Sequence, residues 1–373
     1  MLLTYEDYIL LRLLQTDPTI TYVKLASYLN VSPHTVKRKV ADLTKKGLYK
    51  GYYALYEPES LGLTHFFVFL FLDSVEKYEP LEQALDFQPY TVHRSRFFSP
   101  SLGVFAQFDY PSQEPKLLKE FFSKLVDEDI VSNYTLFRSI GVRKKFPLDL
   151  DRVSITDLSW SYDWQILKNQ ILANNNRTVL PKVRKSVLNQ IKPLDLKILR
   201  FITYNANVSQ REISKKLKEN RTTIWRRIHF LEENVLSGYN AKINRQIFNL
   251  TSNKLLILSF PNSTLLNQVF SAFTNHKFRP PFRYHIEISE NDNKKKQIII
   301  YITLTPYHES QLVYTLAHYA DYKLYSLDVF GNHSVRYAFY DGNFNSKKNY
   351  WKLDYEYVVQ QPLERLRRAS KEI

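Results

Sequence analysis

The chain has no cysteine among its 373 residues, which excludes disulfides and thiolate metal sites. Its nine histidines are scattered, with no two within four residues of each other, so no helical pair of metal-binding imidazoles exists. The longest apolar run, Phe66 to Leu72, falls far short of the roughly 20 residues that span a bilayer. The first residues read as an amphipathic helix, without the basic-then-apolar order of a signal peptide. No phosphate-binding loop and no nucleophile motif is present. These absences lead us to expect a soluble, cytoplasmic protein with no metal, no cofactor and no membrane partner.

What the chain does have is positive charge and a repeat. A net charge of +15 and a pI near 9.5 favour an acidic partner, nucleic acid before an anionic membrane. The segment Tyr5 to Tyr52 recurs between Pro193 and Tyr239 at an offset of 188 residues, about half the chain. Asp7 falls on Asp195, Leu11 on Leu199, Arg12 on Arg200, Thr35 on Thr223 and Arg38 on Arg226. The register holds without a gap until Gly51, which answers to Gly238. Such self-similarity governs the reading of everything else.

Within the first copy, Thr4 is placed to cap a helix, Thr21 a second and Ser32 a third, the last with Pro33 at its first position. Leu10, Leu11 and Leu14 have helical spacing, as do Val36, Val40 and Leu43. Gly47 ends the third helix, and Leu48 to Tyr56 has strand character and is expected to form a wing. The second copy gives helices over Asp195 to Tyr204, Ser209 to Leu217 and Arg221 to Asn234, and a wing over Leu236 to Ile243. After each copy the pattern becomes β-α-β-β-α-β, the ferredoxin-like order. In the first half it runs from His65 to Ile140, and in the second from Lys254 to Phe330. Asp157 to Ala173 reads as an extra helix with Trp160 and Trp164 four apart, and 174–178 as a linker. Pro362 onward reads as a short basic helix. The expected class is α+β: winged helix-turn-helix at 1–60, ferredoxin-like domain at 61–150, helical linker at 151–190, a second winged helix at 191–250, a second ferredoxin-like domain at 251–340 and an extension at 341–373.

This arrangement resembles the Lrp/AsnC family of archaeal and bacterial transcription regulators. The resemblance is carried by Asp195-Leu196-Lys197-Ile198-Leu199, by Ser32-x-x-Thr35-Val36-x-Arg38-x-Val40-x-x-Leu43 with Gly47-Leu48-x-x-Gly51-Tyr52, and by Thr223-Ile224-x-Arg226-Arg227-Ile228-x-x-Leu231 with Gly238-Tyr239. It implies sequence-preferring binding of double-stranded DNA, with the transcription machinery as a further partner. Relatives usually carry one unit and pair through the ferredoxin-like domain. Two units on one chain imply internal pairing of those domains, with a further homodimer left open. The glycines that shape the family's effector pocket are scarce here, there being only eight in all.

With the apolar stripe turned inward, the residues left to face bases are Pro33, His34, Thr35, Lys37 and Arg38 in one copy. In the other they are Arg221, Thr222, Thr223, Trp225 and Arg226. Arg38 and Arg226 suit bidentate contact with guanine; Trp225 suits a thymine methyl, a sugar or packing against the wing. Lys39, Lys45, Lys46, Lys50, Lys215, Lys216, Lys218 and Arg227 are expected at phosphates. One constellation suggests chemistry instead. His93-Arg94-x-Arg96 lies on a strand of the first ferredoxin-like domain, and Tyr284-His285-x-Glu287 answers it in the second. Siroheme decarboxylases resemble the same family and hold carboxylates with basic residues on this type of domain. Two alternatives to a regulator therefore stand, an architectural DNA-binding protein and a siroheme-decarboxylase-like enzyme; the main reading is not an enzyme.

Overall fold

A computed structural model describes residues 3–141, 143–173, 184–329, 331–348 and 350–369. The expected linker at 174–178 lies outside them. The first winged helix comprises α1 (Tyr5–Thr16), α2 (Tyr22–Leu29) and α3 (Pro33–Lys45). Thr4, Thr21 and Ser32 cap them, each side-chain oxygen accepting from a backbone N–H three residues on. Those contacts satisfy donors that a helix start leaves unpaired. Asn30 and Gly47 take left-handed conformations at the two helix exits. Strand β1 (Tyr49–Tyr56) follows.

The first ferredoxin-like domain is β2 (Thr64–Leu72), α4 (Tyr78–Phe87), β3 (Thr91–Ser99), β4 (Leu102–Tyr110), α5 (Lys116–Asp127) and β5 (Asn133–Ser139), with a short β6 (Lys144–Phe146) after it. Helix α6 runs only over Trp164–Ala173, shorter than expected. Leu158 has φ 56° and Trp160 bridges to Val153, so the chain turns before the helix can start. The second winged helix is α7 (Pro193–Tyr204), α8 (Gln210–Leu217) and α9 (Arg221–Asn234), followed by β7 (Leu236–Ile243). The second ferredoxin-like domain is β8 (Ser252–Ser259), α10 (Ser263–Thr274), β9 (Arg283–Asn291), β10 (Lys296–Leu304), α11 (Pro306–Leu316) and β11 (Asp321–Asp328). Short β12 (Ser334–Arg336), β13 (Phe344–Asn345) and β14 (Tyr350–Trp351) precede α12 (Gln361–Ala369). Val358, Val359, Leu363 and Leu366 join the core around α4 and α5.

The two open sheets close on each other. Within the halves the orders are β3-β4-β2-β5 and β9-β10-β8-β11. Strand β5 pairs with β9 and β3 with β11, so eight strands form a ring. Among the described residues, closure pairs the outer strands of each sheet with the other, which covers edges that an open sheet would expose. Strands alternate side chains between faces, and the inward set at one end of the ring is apolar. Phe67, Phe69, Phe97, Phe105 and Phe137 pack there against Leu255, Ile257, Ile299, Tyr325 and Leu327.

Each strand expected to form a wing of its own unit instead pairs with the other. β1 and β7 make an antiparallel ribbon in which Tyr53 lies opposite Asn240 and Ala54 opposite Tyr239. The cores cross in the same way. Leu10, Leu14, Val36 and Leu43 of the first winged helix share a core with Phe282, Tyr284 and Ile300 of the second ferredoxin-like domain. The second winged helix packs with Ala54, Leu61 and Leu63 of the first half.

Candidate nucleic-acid interface and internal cavity

The third helix of each winged unit buries one stripe and leaves the other in solvent. In α3, Val36, Val40 and Leu43 are buried, while Pro33, His34, Lys37 and Arg38 are exposed and Thr35 is half-buried at the cap. In α9, Ile224 and Leu231 are buried, while Arg221, Thr222, Trp225 and Arg226 are exposed and Thr223 is half-buried. Trp225 is 55% exposed and stacks on His229, with ring centroids 5.8 Å apart.

The candidate phosphate contacts divide. Lys45, Lys50, Lys215, Lys216 and Lys218 are exposed. Lys39 is paired with Glu6, and Lys46 with Asp7 at 2.8 Å. Arg227 is the clear correction. Its guanidinium forks onto the fully buried carboxylate of Asp195 and lies 4.2 Å from the Phe230 ring centroid. It ties helix α9 to α7 and is not available to a phosphate.

The pair Arg94 and Arg96 is also corrected. Both point outward to α4, Arg94 onto Glu82 and Asp86 and Arg96 onto Glu82. They brace the helix on the sheet. His93, one residue along, points the other way.

It lines a cavity of about 310 Å³ at the polar end of the strand ring, beneath the β1–β7 ribbon. Five cations surround it: Arg143 and Lys145 at β6, Arg245 after β7, Arg283 on β9 and Arg336 on β12. Two carboxylates, Asp109 and Glu287, are present as well. Two further cavities, of about 510 and 390 Å³, share Arg143 and Lys145, or Tyr53, Arg245 and Arg283, with it. The halves contribute by a rough two-fold rule. His93 pairs across its hairpin with Gln107, and His285 with Tyr301. Arg336 lies beside His93, and Lys145 beside His285.

Electrostatics follow from enclosing so many cations. Burial, then Arg336 and Arg94, lowers His93 to about 3. Burial, then Lys145 and Arg283, takes His285 well below its usual value. Both imidazoles are neutral at pH 7. Burial, then Arg143, lowers Lys145 to about 8. Glu287 is raised to about 7, because burial outweighs the attraction of Arg143. Asp109 is different: burial alone would raise it, but His65 at 2.5 Å, Arg143 and Tyr56 hold it at about 2. His93 Nδ1, Arg143 Nε and Glu287 Oε2 are buried without a protein partner. Buried polar groups are normally satisfied, so three orphans in one cavity mark a place shaped for something polar. Among the described residues no group of three or more His, Asp or Glu is placed to hold a metal ion. Sequence reasoning picked out His93, His285 and Glu287 but not the cations. The signal for one of them was Arg283-x-His285-x-Glu287, a polar alternation on a strand whose other face is apolar.

The winged helix-turn-helix DNA-binding family matches residues 191–234, and a helix-turn-helix domain family matches residues 6–56. No curated protein matches the sequence. Among solved structures, the siroheme decarboxylase NirDL is similar over 97% of this chain and 98% of its own, at 12% identity and TM-score 0.55. NirDL in co-complex with an iron-uroporphyrin III analogue is similar over 98% and 100%, at 12% identity and TM-score 0.54. AsnC of E. coli is similar over 38% of this chain and 95% of its own, at 17% identity and TM-score 0.31.

Over nearly its whole length the chain has the fold seen in NirDL, with the unit of helix-turn-helix and ferredoxin-like domain present twice. Its second helix-turn-helix unit matches a winged, DNA-binding family and its first a helix-turn-helix domain family. In this fold the doubled unit, the ribbon and the ring of strands are parts of one molecule. Among the described residues no helix is long and apolar enough to cross a membrane.

Proposed function

We propose that the protein is a sequence-preferring, double-stranded DNA-binding transcription regulator that reads two unlike half-sites with the two recognition helices of one chain. The observation that carries this is the exposure of both helices along the face a major groove would meet, on units whose cores are anchored in the rest of the molecule. Arg38 and Arg226 occupy the same repeat position and are both exposed, which suits guanine contacts. Around them the helices differ: His34 against Thr222, Lys37 against Trp225, Pro33 against Arg221. Selection from random duplexes tests the proposal. A bipartite, non-palindromic site is expected, and failure to retain any duplex at low salt overturns it.

The cavity favours a second reading beside the first. Five cations and three orphaned polar atoms suit an organic polycarboxylate, and a neutral imidazole from each half faces inward. An iron tetrapyrrole bearing several carboxylates fits that set, with Arg143, Arg283 and Arg336 for its acids and His93 or His285 near its metal. Titration of iron-uroporphyrin III into the full chain, followed by its visible absorption, tests this. Saturable binding weakened by Arg283→Ala is expected; unchanged spectra exclude it.

A further inference from the structure

We infer that Tyr53 is the acid–base group of the cavity, a phenol whose oxygen the surrounding cations and donors hold ready to give up its proton and to regain it when an anion enters. The inference rests on reading the cavity as an anion site.

Tyr53 sits on β1 in the ribbon, opposite Asn240, and is buried. Its oxygen accepts from Asn240 Nδ2 at 2.8 Å and from Arg283 Nη2 at 3.3 Å. Both donors carry only N–H groups, so the oxygen is the acceptor in each contact. Among the described residues no acceptor for the phenolic hydrogen is found. Cations face the ring from every element around it. Arg336 on β12 lies 4.0 Å from the ring centroid and Lys242 on β7 lies 5.4 Å from it. Lys145 on β6 and Arg245 after β7 complete the set. The imidazoles of His93 and His285 on the facing strands are neutral. Neither cavity carboxylate opposes the cations at this ring, since Asp109 is held by His65 and Tyr56, and Glu287 lies beside Arg143. An oxygen with two donors and several cations about it is a site for negative charge. Burial by itself raises the phenol, but Arg283 and Arg336, with the Asn240 hydrogen bond, outweigh it and bring Tyr53 to about 7.

The same cations are the natural partners of a bound carboxylate. When Arg283 and Arg336 turn to a ligand, the phenolate loses what stabilises it, and Tyr53 takes up a proton. It then stands as a phenol facing the ligand, able to donate that proton. The position opposite in the ribbon is Asn240, which does not ionise, so this capacity belongs to one side of the cavity.

The test is tyrosinate absorbance of the full chain across pH, compared with Tyr53→Phe. One tyrosine of the 27 is expected to ionise far below the ordinary value of about 10, and Tyr53→Phe should abolish that step. Arg283→Gln should move it upward by about one unit or more. Citrate should also move it upward in the wild type. If every tyrosine titrates near or above about 10, the assignment is wrong. A low-titrating tyrosine that survives in Tyr53→Phe also overturns it. A step at Tyr53 that is indifferent to citrate leaves Tyr53 as the low-titrating phenol but defeats the reading of the cavity as an anion site, and with it the uptake of a proton on anion binding.

Discussion

Arg227 and Lys39 stand at equivalent positions of the repeat, and both reach back to an acid on the first helix of their unit. The surroundings differ. Arg227 forks onto Asp195, whose side chain is fully buried, whereas Glu6, the partner of Lys39, is 66% exposed. Removing one member of a buried pair leaves an uncompensated charge, so Arg227→Ala should cost about 3–5 kcal/mol. Lys39→Ala should cost about 1 kcal/mol or less. Denaturant unfolding of the two variants checks this, and equal losses would contradict it. Arg38→Ala and Arg226→Ala should spare stability, but each should cost about 1–3 kcal/mol of DNA affinity and relax preference at particular base pairs. The cavity predicts a pH dependence. As pH falls from about 9 to about 6, Lys145 becomes charged near 8, and Tyr53 and Glu287 lose negative charge near 7. Each step makes the cavity more positive, so a polycarboxylate that stays ionised should bind more tightly toward the lower pH. Calorimetry over that range measures it, and weakening on acidification would show that other groups dominate.

At the scale of elements, the β1–β7 ribbon joins the two readings of function. It leads out of both recognition units and roofs the cavity, and Tyr53 hangs from it. Its register shifts between Tyr49 and Tyr52, where Gly51 has φ +81°. That conformation costs an L side chain energy, and a Cβ there would meet Asn207 Nδ2 at 2.0 Å. Gly51→Ala should therefore destabilise the protein by about 1 kcal/mol or more, read as a lowered melting temperature. The ribbon also explains why neither strand forms a separate wing. Each finds its hydrogen-bond partner in the other half, which the short connection beyond it does not supply.

The whole molecule behaves as a dimer written on one chain. Closure of the ring by β5–β9 and β3–β11, and the crossing of winged-helix cores into the opposite half, mean that each half lacks part of its own core. Residues 1–173 and 184–373 produced separately should be aggregation-prone alone and form a complex when refolded together, as size-exclusion chromatography would reveal. Two independently soluble monomers would contradict this. A symmetric dimer presents identical helices and selects palindromes; this chain presents different ones. Exchanging residues 33–38 for residues 221–226 in the first unit should make the selected site more nearly palindromic. A perfect inverted repeat selected by the unmodified chain would mean that only one helix reads DNA.

Much of this was legible in the order of residues. Local signals are written locally. Thr4, Thr21, Ser32 and Asn220 cap their helices because a cap needs only its own side chain and the next turn. The β-α-β-β-α-β order follows from apolar periodicity, and the duplication from a register of 188 residues. The exposed faces of α3 and α9 follow from the buried stripe on the same helices. Tertiary structure alone decided what lies far apart in sequence. Arg227 looked like a phosphate contact because nothing near it in the chain marks the carboxylate of Asp195, 32 residues away, as its partner. Arg94 and Arg96 looked functional because alternation assigns two faces to a strand without saying which is the inside. The cavity was out of reach for the same reason. Its cations come from positions 143, 145, 245, 283 and 336, and they line one cavity only because two sheets closed into a ring and the strands after the two recognition units paired above it.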